Sequence, residues 1–170
     1  MQLRRLLVIA DLRVVSMDVE FLKTIDLFSN LDALHLAHLS SIAGRSEHKA
    51  GTVLFEDGDS GSEIYVVGEG KVRISKMVPG IGEEALAVLS SGAYFGEMEY
   101  IDRDLNRAAR ATIHERAVLY TFGYQELDDL MGSDRDLALA ITSSMLRTFS
   151  RRLRSTNDKL TAMFAMAQFG

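Results

Sequence analysis

The 170-residue sequence predicts an α+β fold that is mainly β: a sandwich or jelly-roll barrel of short strands, with helices before it and one long helix after it. Glycine placement and hydrophobic period carry that prediction. Nine of the thirteen glycines lie between Gly51 and Gly96, and the segments between them are short and alternate apolar with other residues, as half-buried strands do. On either side the spacing turns helical, and no glycine or proline interrupts the stretch between Ser133 and Gln168.

The first fifteen residues, "MQLRRLLVIADLRVV", form an N-terminal extension. Asp11 and Arg13 break its apolar run and no small-residue cleavage site follows, so it predicts a helix or strand packed on its own domain or on a partner, not a secretion signal. The main domain is expected over 16–132. Ser16 is a candidate N-cap for a helix in "MDVEFLKTIDLF", and Leu31, Leu34 and Leu39 give a second helix ending at Gly44. In "EIYVVGEGKVRIS", Ile64 and Val66, then Val72 and Ile74, alternate around Gly68-Glu69-Gly70, which predicts a hairpin. Asp57-Gly58, Pro79-Gly80 and Ser91-Gly92 punctuate further strands near 52–56, 84–90, 108–113 and 116–122.

The long helix is expected over 133–168. Its Leu139, Thr142, Leu146, Phe149, Leu153, Thr156, Leu160, Met163 and Ala167 follow alternating steps of three and four, the period of a coiled-coil seam. A helix of that length, about 50 Å at 1.5 Å per residue, outreaches one small barrel, so the stripe predicts a parallel homodimer.

Composition excludes several classes of function. Hydrophobic residues make up 47% and the mean hydropathy is near zero, as in a folded globular chain. A formal net charge of −5 argues against general nucleic-acid binding, and the cluster of Arg147, Arg151, Arg152 and Arg154 reads as a solvated helix face. The absence of cysteine rules out thiol chemistry and disulfides and suits a reducing cytoplasm. No stretch approaches a membrane span. His35 and His38 share a helix face without an evident carboxylate, and no nucleophile motif, P-loop or dinucleotide fingerprint occurs, so neither a metal site nor an enzyme is expected.

The chemistry concentrates in "YFGEMEYIDRDLNRAARAT", residues 94–112. A strand ending in Tyr94 and Phe95 meets Gly96, which lets the backbone turn; a short helical "EMEYID" follows, and Arg107 opens the next strand. Amides at the start of that helix favour an anion, and Arg107 adds a planar fork suited to phosphate oxygens. Glu97 cannot contact phosphate but can accept from a hydroxyl beside one. A sugar phosphate carries both groups; an internal ion pair is the plainer reading of the same two residues.

Here the sequence resembles the cyclic nucleotide-binding domains of the CRP/FNR type, across "LFSNLDALHLAHLSSIA", the hairpin region, the cassette "FGEMEYIDRDLNRAARAT" and "YTFGYQELDDLM". The resemblance implies a double-stranded β-helix, or jelly roll, and a regulatory ligand: cAMP, with cGMP less favoured because Ala108 follows Arg107. It implies that Glu97 takes the ribose 2′-hydroxyl, that Arg107 takes the cyclic phosphate, and that Phe95, Gly96, Met98, Glu99 and Ala108 complete the cradle. By the same resemblance Thr156 and Asn157 of the long helix lie against the base.

Glu99 departs from the pattern, which has a small residue there; pointing inward it would repel a phosphate by about 1–4 kcal/mol, and outward it would do nothing. Asn106 stands where proline is common, and Arg110 reads as a surface charge. The sequence ends at Gly170 without the helix-turn-helix of the catabolite activator protein, so no direct DNA binding is expected. The expected function is a cyclic nucleotide sensor signalling through its long helix. The alternative is a dimeric partner-binding or transcription-regulatory protein whose cassette has degenerated and whose Arg107 is satisfied internally.

Overall fold

The computed structural model describes residues 17–168. Ser16 and the 1–15 extension lie outside them, and the cap of the first helix, α1 (Val19–Thr24), is Asp18, whose carboxylate accepts from the Glu20 amide. Helix α2 (Ala33–Ile42) is capped in the same way by Asp32, which accepts from the His35 amide. Strands β1 (Gly44–His48), β2 (Val53–Phe55), β3 (Glu63–Val78), β4 (Gly82–Leu89) and β5 (Tyr94–Phe95) follow. Then come α3 (Met98–Ile101), β6 (Arg110–Gly123), α4 (Tyr124–Ser133) and α5 (Arg135–Gln168). All pairings are antiparallel, in the order β1-β6-β3-β4, with β2 on β6 and β5 on β3. The sheet coils into the expected jelly roll.

The hairpin expected at Gly68-Glu69-Gly70 does not form. The segments on either side are one strand, β3, and the two strands expected at 108–113 and 116–122 are likewise one, β6; β3 and β6 run together from Glu63↔Gly123 to Ser75↔Arg110. The register shifts between Val67, Glu69, Lys71 and Val72, so the glycines make bulges that bend the pair instead of reversing it. Gly70 has φ +79°, and a Cβ there would sit 2.1 Å from the Arg116 carbonyl oxygen. The bend moves the inward set from Tyr65 and Val67 to Val72 and Ile74, a change from odd to even positions that a bulge produces.

The sheet thereby divides the apolar residues into two bodies. Val67, Val72, Phe95, Ala111, Ile113 and Leu119 fill the barrel. Ile64, Val66 and Phe122 face outward onto Leu22, Phe28, Leu36, Leu39 and Leu127, and α5 joins this second core through Leu137, Ile141 and Met145. Of the seam residues of α5, Phe149 packs half-buried against it, whereas Leu139, Leu146, Leu153 and Leu160 are exposed, the first three by more than 60%. One barrel leaves the four leucines of this stripe open.

Candidate functional site

Beta-strand β5, α3 and the loop before β6 bring the cassette to one mouth of the barrel, facing α5. Gly96 turns the chain with φ +79°, and a Cβ there would lie 2.5 Å from Arg107 Nη1, so glycine is needed for both backbone and space. The loop carrying Arg107 is fixed by its own backbone: the Arg107 amide donates to the Asp59 carbonyl at 2.7 Å and its carbonyl accepts from the Gly58 amide at 2.8 Å. Helix α3 is tied to α4 by Arg103, which stacks between Tyr100 and Tyr124 at 4.6 and 4.5 Å and donates to Asp128 at 2.8 Å.

A cavity of about 450 Å³ opens at this mouth. Phe95, Gly96, Glu97, Met98, Glu99, Arg107 and Ala108 all line it, as does Thr156 from α5. Asn157, expected beside Thr156, is not among its lining residues; it is exposed, and its carbonyl accepts from Thr161 Oγ1 at 2.9 Å. Thr156 Oγ1 donates to the Arg152 carbonyl at 3.0 Å, the back-bond of a helical threonine. Ile74, Leu86 and Leu89 give the cavity an apolar wall.

The electrostatics are arranged as two internal pairs. Arg107 is 4% exposed; its Nη1 donates to Glu99 Oε2 at 2.7 Å and to the Gly96 carbonyl at 3.0 Å, and its Nη2 to the Glu63 carbonyl at 3.0 Å. Its face stacks on Phe55 at 4.3 Å, within a cluster where Tyr65 and Phe95 stack at 5.0 Å. Its Nε is buried and has no partner among the described residues. Glu99 therefore points inward, and the partner of Arg107 inside the protein is that carboxylate. Arg110 pairs instead with Glu56 at 3.2 Å and Glu83 at 3.5 Å on the half-exposed rim.

Glu97 makes the second pair. It is 1% exposed and accepts from Arg152 of α5, which also donates to the Tyr94 carbonyl at 3.0 Å and lies 5.4 Å over the Tyr94 ring. Burial pushes the Glu97 carboxyl above its ordinary value, with the Arg152 guanidinium working against that shift. The sequence reading took Arg152 as part of a solvated face, although it stands four residues before Thr156 and so on the same side of the helix; Ser155 and Lys159, on that side too, also line the cavity.

Elsewhere His35 does have carboxylate partners, Asp32 at 3.1 Å and Asp134 at 3.0 Å, supplied by its own helix cap and by the residue preceding α5. Among the described residues no three His, Asp or Glu side chains converge as a metal site would require, and no helix is long and apolar enough to cross a membrane.

Residues 45–134 match the family model described as the cyclic nucleotide-binding domain. The chain belongs to this family. It is 31% identical over 79% of its length to the cAMP-dependent protein kinase regulatory subunit of Mycosarcoma maydis, covering 22% of that protein. It is 28% identical over 83% of its length to the CRP-like cAMP-activated global transcriptional regulator of Mycobacterium tuberculosis, covering 61% of it. The chain thus spans between about a fifth and three fifths of these two relatives. Among solved structures, the N-terminal domain of a transcriptional regulator from Streptomyces coelicolor superposes with a TM-score of 0.67 at 33% identity, covering 84% of this chain and 95% of that one. The CRP-type resemblance and the jelly-roll fold both hold.

Proposed function

We propose that this domain is a regulatory sensor for a cyclic nucleotide, with cAMP the favoured ligand, and that it signals through α5. The observation that carries the reading is the convergence of Gly96, Glu97 and Arg107 on one cavity of about 450 Å³ that α5 closes with Arg152, Ser155 and Thr156. The chemistry of the lining suits such a ligand. A buried carboxylate accepts from a ribose hydroxyl, a guanidinium with an unpartnered Nε holds a phosphate oxygen, and the apolar wall takes a base. The family names point the same way, since two relatives are named for cAMP.

The mechanism is a shift of population. A ligand held between cassette and helix favours whichever placement of α5 binds it better, and only that difference in affinity moves the equilibrium. The exposed row Leu139, Leu146, Leu153 and Leu160 supports a parallel homodimer as the form in which the movement is read. No catalytic step, metal or direct DNA contact is assigned to the domain, and a cytoplasmic setting accords with a chain free of cysteine.

Titration calorimetry with cAMP and with cGMP, on the native protein and on Arg107→Ala, tests the reading. Saturable heat with cAMP that disappears in the variant is expected; no heat with either nucleotide on the native protein refutes it. One observation favours a second reading, that the cassette has degenerated: Glu99 already satisfies Arg107. Under that reading the native protein binds no nucleotide and Glu99→Ala acquires binding.

A further inference from the structure

A second concavity, of about 470 Å³, lies on a different flank of α5 from the cassette, between that helix and the connection from α1 to α2. Arg147, Arg151 and Arg154 line it from the helix, with Ser144 and Ser150; Asp26, Ser29 and Asn30 form the facing wall. The sequence reading grouped these arginines with Arg152 as one solvated face. The structure separates them, sending Arg152 to Glu97 and gathering the other three around a groove.

Charge and preparation both suit an anion. Three guanidinium groups stand against the single carboxylate of Asp26 in the lining, a surplus of two positive charges in a chain whose net charge is −5. Among the described residues the Asp26 carboxylate pairs with Arg151 alone, at 2.8 Å. Arg147 and Arg154 have no carboxylate partner among the described residues. Two of the forks are braced by hydroxyls of their own helix, Arg147 on Ser144 Oγ at 2.9 Å and Arg151 on Thr148 Oγ1 at 3.2 Å; Ser144 and Thr148 are 2% and 7% exposed. Asn30 reaches the same Ser144 Oγ at 3.4 Å from the opposite wall. Bracing lowers the entropy lost when an oxyanion is gripped, and neutral hydroxyl and amide donors beside the arginines complete its hydrogen bonds.

We propose that this groove is a second ligand site, distinct from the cassette, which binds the phosphate of a small phosphate monoester. A monoester is a dianion above its second pKa of about 6, which matches the surplus of two. At about 470 Å³ the groove is close in volume to the cassette cavity of about 450 Å³, so it has room for a sugar-sized group beyond the phosphate, whereas a lone phosphate would leave most of it empty. A ligand here would bridge α5 to the α1–α2 connection and so bear on the helix that the first site also touches.

The test is a titration of the full chain with ribose 5-phosphate, followed by amide and side-chain NMR, with ribose and sodium chloride of matched ionic strength as controls. Saturable shifts confined to Asn30, Ser144 and their neighbours are expected with ribose 5-phosphate alone, weakening below about pH 6 as the phosphate takes up a proton. Arg154→Gln, which removes no contact within the described residues, is expected to weaken binding about tenfold, and Arg147→Gln with Arg154→Gln to abolish it. Arg107→Ala should leave it unchanged. Shifts that stay linear, or are matched by sodium chloride, or persist in the double variant, overturn the proposal. So does saturation by a phosphoserine peptide where ribose 5-phosphate gives none, which would make the groove a protein-docking surface.

Discussion

Replacing Glu99 by alanine separates the two costs that its carboxylate imposes. The Glu99–Arg107 pair is 2.7 Å long, with side chains 5% and 3% exposed. At an effective dielectric of about 20, unit charges at that distance attract by about 6 kcal/mol, much of it offset by the desolvation of both groups. Removing one member of such a pair costs about 3–5 kcal/mol, and the lower end applies because Arg107 keeps its bonds to the Gly96 and Glu63 carbonyls. In a domain of this size 3 kcal/mol lowers the unfolding midpoint by roughly 6–12 °C. A phosphate entering beside a retained Glu99, about 5 Å away, meets a repulsion of about 3 kcal/mol, or roughly a hundredfold in affinity. Glu99→Ala is therefore expected to melt earlier and to bind cAMP tenfold to a hundredfold more tightly. The nucleotide at a hundred times its Kd would restore about 2.7 kcal/mol of the lost stability. Calorimetric melts and titrations of the two proteins read both effects. A folded Glu99→Ala with unchanged or weaker affinity for cAMP refutes the claim that this carboxylate competes for Arg107.

Gly96→Ala should destabilise by about 1–2 kcal/mol in denaturant titration and weaken nucleotide binding with it, because φ is +79° and the added carbon meets Arg107 Nη1 and the Glu63 carbonyl. Leu153→Glu should convert a dimer to a monomer in sedimentation; monomer-sized species for both proteins would remove the coiled-coil seam. Asp134 lies below the ordinary carboxylate value, chiefly because it accepts from the Leu137 amide and further through His35. A depressed carboxylate contributes stability that is present above its unfolded value and is lost as pH falls through the folded one. Asp134→Asn should therefore flatten the acid side of the stability profile below about pH 4, and equal acid profiles for the two proteins would count against this cap.

The convergence of Gly96, Glu97 and Arg107 on one cavity was legible because the three sit within a dozen residues of the chain. The direction of Glu99 was not, because α3 is a single turn and either orientation satisfies its pattern. Gly68-Glu69-Gly70 shows a different limit. A tight turn and a bulge both call for glycine, and what decides between them is the partner strand β6, which comes 40 residues later in the chain and bends in step. The strand β1 was missed since "GRSEH" has little apolar alternation, its pattern being mostly exposed. Arg152 was misassigned because its partner Glu97 is 55 residues away, although its position on the Thr156 side of the helix was readable.

These two pairs bear on how the domain could act as a switch. From Arg151 to Ala167 every residue of α5 is exposed, so the outer half of the helix has no core of its own to rest on. At the start of that half Arg152 holds the cassette through Glu97 and the Tyr94 carbonyl. A ligand that takes Glu97 competes with Arg152, and a ligand that takes Arg107 competes with Glu99 on α3. Under the proposed function, binding combines the free Nε of Arg107 with an exchange of partners at Glu97 and at the Arg107 fork. Each exchange has a mechanical partner: the first acts on α5, the second on the short helix that Arg103 ties to α4. Under the proposed function, the Glu99–Arg107 and Glu97–Arg152 pairs define one arrangement of the cassette and α5, and a sensor requires a second whose affinity for the ligand differs.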